Sequence, residues 1–208
     1  MTQIVKIGNP LWDGQTIGLL GGSFNPAHRA HRYIAEEALK RLSLDSVWLM
    51  VSPGNPLKST ADMAEFEDRL KSADNIAQDP NIFATDIEHT LGTSHTYDTA
   101  LKLIESFPNS HFVWLMGADN MQQFEHWYAW EEIACTLPIA IFDRPEYSNA
   151  ITDSRFAQKF KKNQVLPAEI YNAKAPAWTF IASKRDQISS SAIRETTGQD
   201  WPKTDRKT

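Results

Sequence analysis

The chain alternates between short apolar runs and longer segments in which apolar residues recur at helical spacing. Six apolar runs predict strands, at residues 16–21, 46–52, 82–87, 112–116, 138–142 and 178–182. Their side chains are apolar at nearly every position, which is typical of strands buried on both faces of a sheet. Since the longest runs are far too short to cross a bilayer, the pattern predicts no membrane-spanning segment.

Helical spacing separates these strands. Residues 27–43 place Ile34, Ala38 and Leu42 on one face of a helix. Similar patterns predict helices at 61–78, 96–107, 127–135, 153–162 and 189–197. Because apolar strands alternate with helices, the expected fold class is α/β, a Rossmann-like doubly wound parallel sheet flanked by helices on both faces.

Composition narrows the possible functions. The 208 residues carry a formal net charge of −5, whereas a protein that coats nucleic acid is usually basic, so we expect no nucleic-acid partner. A single cysteine, Cys135, excludes an internal disulfide and a multi-cysteine zinc site. The N-terminus is too polar for a signal peptide, and we expect a cytoplasmic protein. The chain divides into a lead-in at 1–15, one domain at 16–197 and a polar tail at 198–208.

Residues 21–31, the most informative segment, read Gly-Gly-Ser-Phe-Asn-Pro-Ala-His-Arg-Ala-His and join the first strand to the first helix. The glycine pair allows a tight turn and a close approach to a ligand, and Pro26 suits the first turn of a helix. His28 and His31 lie on one helix face, near a terminus that attracts phosphate. Alone, the pair also fits surface histidines or part of a metal site, but the preceding glycine turn favours a phosphate chain.

Residues 188–194, Ile-Ser-Ser-Ser-Ala-Ile-Arg, form a second candidate phosphate motif. Serine is a favoured N-cap, and three serines at a helix start present hydroxyl and N–H groups together. Arg194 lies one turn inside that helix and can bind phosphate oxygens through two parallel hydrogen bonds. In isolation, the segment is better explained as a plain capped helix with a solvated arginine than as a phosphate site. The presence of the first motif in the same chain makes the phosphate site the favoured interpretation.

Four further side chains are candidates for ligand contacts. Asp119 follows the strand at 112–116 and can bind ribose hydroxyls or a hydrated magnesium ion, or it simply caps the next helix. Trp127 can stack on an aromatic ring, although core packing is the commoner fate of tryptophan. Lys58 and Arg144 are loop cations that reach a phosphate or remain solvated.

Two of these segments resemble motifs of the nucleotidylyltransferase superfamily, the relatives of class I aminoacyl-tRNA synthetases. Residues 21–31 resemble its His-x-x-His phosphate motif, and residues 188–194 resemble its second motif. Other stretches resemble the bacterial nicotinate-nucleotide adenylyltransferase family more closely, namely 53–58, 93–101, 112–119, 127–133 and 144–145. The resemblance runs in the same order from about residue 16 to residue 195.

The resemblance implies an enzyme that transfers AMP from ATP to nicotinate mononucleotide, giving deamido-NAD and pyrophosphate in NAD biosynthesis. It implies direct in-line attack on the α-phosphorus, without a covalent enzyme intermediate, so positioning and charge stabilisation carry the catalysis. It also implies Mg²⁺ as the cofactor, carried by the ATP phosphates without direct protein ligands. Asp119 can contact that ion through water.

Carried over by position, the resemblance assigns three groups of site residues. The catalytic residues are His28, His31 and Arg194. The ATP-binding residues are Gly22, Ser23, Phe24, Gly117, Asp119, Ile188, Ser189 and Ser190. The residues that bind nicotinate mononucleotide are Lys58, His95, Thr96, Trp127 and Arg144. Backbone near Thr96 would receive the nicotinate carboxylate, and Trp127 would stack on the pyridine ring.

The chain departs from the family pattern at three site positions. Asn25 stands where the family usually has Asp, Ala30 where it has Gly, and His95 where Tyr is common. Two alternatives stay open at this point. The first is an adenylyltransferase for another phosphate acceptor, either nicotinamide mononucleotide or phosphopantetheine. The second is a catalytically dead nucleotide-binding sensor. The partners expected are small-molecule substrates, and the oligomeric state is left open.

Overall fold

A parallel sheet lies at the centre of the molecule. The computed structural model describes residues 5–54, 63–143, 151 and 154–182, and within them six strands pair side by side. The strands are β1 Thr16–Gly22, β2 Ser46–Val51, β3 Ile82–Thr85, β4 His111–Gly117, β5 Ile139–Phe142 and β6 Trp178–Ile181. Their order in the sheet is β3-β2-β1-β4-β5-β6, and every neighbouring pair is parallel.

Seven helices of the described residues connect or follow these strands. They are α1 Arg29–Leu42, α2 Phe66–Ile76, α3 Ile87–Leu91, α4 Thr96–Ser106, α5 Ala118–Phe124, α6 Trp130–Thr136 and α7 Arg155–Lys159. Short 3₁₀ turns occur at Pro10–Trp12, Lys161–Asn163 and Pro167–Asn172. The helix predicted at 189–197 lies outside the described residues.

Apolar side chains fill both faces of the sheet. Along β2, Trp48 belongs to one core cluster and the next residue, Leu49, to the other, and both are fully buried. Since successive residues of a strand point to opposite faces, the two clusters lie on opposite sides of the sheet. Helices α1 and α2 contribute to one cluster, and α3 to α7 contribute to the other. The predicted α/β fold with helices on both faces is confirmed.

Several predicted element boundaries are wrong, and the helices predicted at 61–78 and 153–162 are shorter, at Phe66–Ile76 and Arg155–Lys159. The strand predicted at 82–87 ends at Thr85, because the Thr85 hydroxyl accepts a hydrogen bond from the Ile87 N–H (3.1 Å) and the chain turns into α3. The helix predicted at 127–135 begins only at Trp130, after Ala129 with a φ of +53°. A separate helix, α5, occupies a segment for which none was predicted.

The segment before β1 contributes to the core, although the sequence analysis assigned it no core residue. Trp12 is buried, with its ring 5.0 Å from that of Trp48 and 5.2 Å from that of Phe83, both edge to face. Its carbonyl accepts a hydrogen bond from the Ser110 hydroxyl at 2.7 Å. This segment therefore packs against the sheet before the first strand begins.

Strand order reverses between β1 and β4. From β1 the chain continues to β2 and β3 on one side, and it returns beside β1 as β4 before it continues outward to β5 and β6. The two central strands are in register, with Leu20 opposite Leu115. In open α/β sheets, ligands bind beyond the carboxyl ends of the strands at such a reversal. The loops after β1 and β4 therefore define the candidate site.

Candidate functional site

The loop after β1 turns tightly against a tryptophan. Gly21 lies at the end of β1, where an added Cβ would come within 2.8 Å of the Trp114 ring, so glycine is needed there. Phe24 has a φ of +46° and is almost completely buried. A non-glycine residue in this left-handed region is uncommon and strained, and such strain occurs often at functional sites. Packing around Phe24 holds the loop in this shape.

His28 and His31 lie together at the start of α1. His28 is the N-cap of the helix and His31 its third residue, and their ring centroids are 3.9 Å apart. The His28 N–H donates to His31 Nδ1 at 3.2 Å, so a neutral His31 carries its proton on Nε2. Pro26, predicted in the first helical turn, instead precedes α1 by three residues, because His28 takes the capping position.

The two imidazoles occupy a partly enclosed environment. His28 is 5% exposed, and the His31 ring centroid lies 4.8 Å from that of the buried Phe24. Both rings lie at the N-terminus of a 14-residue helix, where backbone N–H groups and the helix dipole favour an anion. The arrangement can donate hydrogen bonds to phosphate oxygens and stabilise charge that develops on them.

Arg69 of α2 binds the backbone of the loop after β1, and the sequence analysis did not predict this contact. Its Nη1 donates to the carbonyl oxygens of Ser23 and Ser52, each at 2.8 Å. Its Nε donates to the Ala64 oxygen at 3.1 Å and its Nη2 to the Pro53 oxygen at 3.3 Å. Burial lowers the pKa of the guanidinium, while nearby acidic side chains act in the opposite direction.

The sequence held one signal for this residue. Positions 66, 69, 70 and 73 recur at the spacing of one helix face, and three of them are apolar. Arg69 is the charged member of that face, and a charged side chain is almost never fully buried without partners. The pattern therefore indicated a buried arginine, although it did not identify the carbonyl groups that receive it.

The β4 side of the rim begins with Gly117, the N-cap of α5, and Asp119 lies in the first turn of that helix. Trp114 of β4 connects this side to the loop after β1. Its ring lies next to the position that a side chain at residue 21 would occupy. The centroid of this ring is 6.4 Å from that of Trp127. Trp127 also packs edge to face on Phe124 at 5.4 Å, and it remains half-buried.

The start of α4 lies near a second group of aromatic rings. His95 is the N-cap of α4, so Thr96 is its first residue. The His95 ring centroid is 5.0 Å from that of Tyr128, and the Tyr97 ring is 6.4 Å from the same tyrosine. Tyr128 is 58% exposed. The structure thus brings His95 close to Tyr128, the residue after Trp127.

A buried carboxyl group lies beneath this helix start. Glu88 is 6% exposed, and its Oε1 accepts a hydrogen bond from the Thr99 hydroxyl at 3.1 Å. Thr99 Oγ1 is also 2.9 Å from Thr93 Oγ1. Burial raises the pKa of Glu88 to about 7, and the Thr99 hydrogen bond acts in the opposite direction. The sequence analysis assigned no role to Glu88.

Comparison with known proteins places this site in a family. A family model described as cytidylyltransferase-like matches residues 19–196. A protein of Rhizobium johnstonii named "Probable nicotinate-nucleotide adenylyltransferase" is 46% identical over 184 residues, covering 87% of this chain and 92% of that protein. A protein of the same name from Agrobacterium fabrum is 44% identical over 181 residues, covering 86% and 97%. The chain belongs to the nicotinate-nucleotide adenylyltransferase family.

Solved structures share the fold. The Plasmodium falciparum nicotinic acid mononucleotide adenylyltransferase complexed with NaAD has a TM-score of 0.67 and 21% identity, covering 87% of this chain and 83% of that one. The same enzyme complexed with APC has a TM-score of 0.64 and 20% identity, with equal coverage. These similarities support the Rossmann-like fold of the family.

One departure from the family pattern, Asn25, makes a contact that an aspartate could also make. Asn25 Oδ1 accepts a hydrogen bond from the Ala64 N–H at 3.0 Å. An aspartate offers the same acceptor oxygen, so asparagine preserves this link between the loop and the segment before α2. Ala30 is buried in the first turn of α1.

Several predicted site residues lie outside the described part of the chain, and their roles stay predictions. They are Lys58, Arg144, Ile188, Ser189, Ser190 and Arg194. The phosphate-binding role of the second motif, residues 188–194, is therefore also still a prediction. Among the residues that the structure describes, no group of three or more His, Cys, Asp or Glu side chains is arranged to hold a metal ion. None of the helices in the same ranges is long and apolar enough to cross a membrane.

Proposed function

We propose that this chain transfers AMP from ATP to nicotinate mononucleotide, giving deamido-NAD and pyrophosphate. The observation that carries the proposal is the pair of imidazoles, 3.9 Å apart, at the start of α1 beside the reversal of strand order. The identity to family members along most of the chain supports the same reaction.

The phosphate side of the site performs the chemistry. A phosphate oxygen of the mononucleotide attacks the α-phosphorus of ATP, a new P–O bond forms, and the bond to the β-phosphate oxygen breaks as pyrophosphate leaves. His28 and His31 donate to the phosphates and stabilise the charge that builds during attack, with Arg194 as the third catalytic residue. Gly22, Ser23 and Phe24 shape the loop that receives the nucleotide.

The residues present suit a Mg²⁺ ion that is bound mainly by the ATP phosphates, rather than one that is held tightly by protein ligands. Asp119, in the first turn of α5, supplies one carboxylate at this rim. Magnesium usually keeps several waters and binds through one or two carboxylates plus substrate phosphates. When bound, it would neutralise charge on the phosphates, and Asp119 would contact it through water.

The acceptor side selects the nicotinate group. The N–H groups at the start of α4, from Thr96 onward, suit the carboxylate, because free amides at a helix N-terminus attract anions. A neutral amide gains less there, so we expect nicotinamide mononucleotide to be the poorer acceptor. Trp127 stacks on the pyridine ring, and His95, Lys58 and Arg144 complete this side.

The dead-sensor alternative is not favoured. It depended on Asn25 and Ala30, and the Asn25 side chain makes an acceptor contact that an aspartate could also make. The other acceptors are not favoured either, because the similar proteins carry the nicotinate name. The domain limits at 16–197, the cytoplasmic location and the absence of nucleic-acid partners remain predictions.

Pyrophosphate release tests the proposal. The protein is mixed with ATP, Mg²⁺ and nicotinate mononucleotide, and pyrophosphate is followed together with deamido-NAD. We expect both products in equal amounts. ATP binding without release of pyrophosphate above background would refute the proposal and support the sensor instead.

A further inference from the structure

Arg69 places a buried charge where stability alone does not call for one. The side chain is 1% exposed, and its four hydrogen bonds all end on backbone carbonyl oxygens. Removing a guanidinium from water is costly, and a well-packed apolar side chain often serves stability as well or better. The presence of a buried guanidinium is better explained by its ability to hold several backbone carbonyl groups in fixed positions.

The contact with Ser23 fixes the orientation of one peptide group. The bond between Ser23 and Phe24 is trans, so its C=O and N–H point in opposite directions. Because Arg69 binds the Ser23 oxygen, the Phe24 N–H is directed away from Arg69, to the other side of the loop. Backbone N–H groups in turns of this kind are common donors to phosphate.

Two neutral contacts hold the same loop to the α2 region. The Ala27 N–H donates to the Ser72 hydroxyl at 2.9 Å, and Asn25 Oδ1 accepts from the Ala64 N–H. Arg69 lies between these contacts and also reaches the end of β2 through Ser52. The guanidinium thus joins β1, β2 and the entrance to α2 at one point.

We propose that Arg69 is a positioning residue for nucleotidyl transfer, which holds the Ser23–Phe24 peptide so that the Phe24 N–H meets a phosphate oxygen of the bound nucleotide. The inference rests on the proposed function, because it requires a phosphate at this rim. The hydrogen bonds of Arg69 all go to backbone carbonyls, and its guanidinium also lies over the Phe66 ring at 5.3 Å. Arg69 is not itself a catalytic residue.

Three variants test the role of Arg69. Arg69→Lys keeps the charge, but its single ammonium nitrogen cannot reproduce the contacts that Nη1, Nη2 and Nε make with four carbonyl oxygens. Arg69→Gln keeps donors without a buried charge, and it serves if the lysine variant does not fold. Leu42→Ala is the stability control, because it opens a cavity in the core at the far end of α1, about 20 Å along that helix from His28.

Turnover at saturating substrates separates positioning from folding. At a temperature where circular dichroism shows each protein folded, we expect Arg69→Lys to lose about tenfold or more in kcat, since a misplaced donor costs up to about 100-fold. Leu42→Ala should stay within about twofold of wild type. A kcat of Arg69→Lys or Arg69→Gln near the wild-type value overturns the inference, as does an equal loss in Leu42→Ala.

A binding measurement on the same proteins needs no turnover. Isothermal titration calorimetry with inorganic pyrophosphate should give an affinity at least about fivefold weaker for Arg69→Lys than for Leu42→Ala. Equal affinities would overturn the inference. A wild type that binds pyrophosphate but turns over no acceptor would instead refute the proposed function, and the ratio of affinities would still decide the role of Arg69.

Discussion

The two sides of the candidate site are built in different ways. On the phosphate side, His28 and Phe24 are buried, and the loop backbone is tied to α2 by Arg69. On the acceptor side, Trp127 is half-buried and packs edge to face on Phe124, whereas Tyr128 is mostly exposed and its ring is tilted against that of His95. A fixed backbone suits charge stabilisation in the transition state, whereas open aromatic rings suit recognition of a small planar group.

The difference predicts a kinetic separation. Changes on the phosphate side should lower kcat, because the donors there act on charge that develops during attack. Changes on the acceptor side should raise KM for the mononucleotide, because stacking and anion binding act in the ground state as well.

The largest expected effect comes from His28→Ala. Loss of a preorganised donor to the reacting phosphates should lower kcat by about 100-fold or more. Steady-state pyrophosphate release measures this effect, with circular dichroism confirming that the variant is folded. A folded variant with full kcat would remove His28 from the mechanism and erase the proposed distinction between the two sides.

Trp127→Ala should act on the acceptor. A stacking contact of this type contributes about 0.5–1.5 kcal/mol, so KM for nicotinate mononucleotide should rise about 2- to 12-fold while KM for ATP stays constant. Trp127→Phe is the matched control, because it keeps an aromatic face and should recover much of the affinity. Equal changes in both KM values would mean that Trp127 supports the core rather than the pyridine ring.

Glu88→Gln should change how stability depends on pH. The pKa of Glu88 is raised from 4.5 to about 7, so the native state holds this proton more tightly than the unfolded state does. The stabilisation is complete below pH 4.5, falls as the pH rises, and is lost above about pH 7. At about 1.4 kcal/mol for each pKa unit, wild type should lose about 3 kcal/mol relative to the variant.

Urea unfolding at pH 5 and pH 8 measures this difference. Glutamine keeps the acceptor oxygen for Thr99, so the two proteins should be similar in stability at pH 5. The variant should be the more stable protein at pH 8. An equal dependence on pH in both proteins would show that Glu88 does not titrate in this range.

Local patterns were enough to predict the strand, turn and helix start that carry His28 and His31. The apolar run of β1, the glycine pair and the two histidines are adjacent in sequence, so strand, turn and helix start could be inferred together. The solid apolar strands also predicted a sheet covered on both faces. These features depend on contacts within a few residues, which spacing along the chain records directly.

Contacts between distant segments escaped prediction for a physical reason. Arg69 meets Ser23 across 46 positions of the chain, and carbonyl oxygens belong to every residue type, so no pattern marks the recipients. The raised pKa of Glu88 likewise arises from burial beneath α4, which its own neighbours do not reveal. The helix α5 was missed because Asp119 was interpreted as a ligand contact or as the cap of a later helix, whereas it lies in the first turn of α5.

The most direct test of the proposed function is a comparison of kcat/KM for three acceptors with wild-type protein, ATP and Mg²⁺. Nicotinate mononucleotide should exceed nicotinamide mononucleotide by about tenfold or more, since a charged hydrogen bond contributes about 1.5–3 kcal/mol, and phosphopantetheine should give no turnover. A kcat/KM that is equal for the two mononucleotides, or that is highest for phosphopantetheine, would contradict this account.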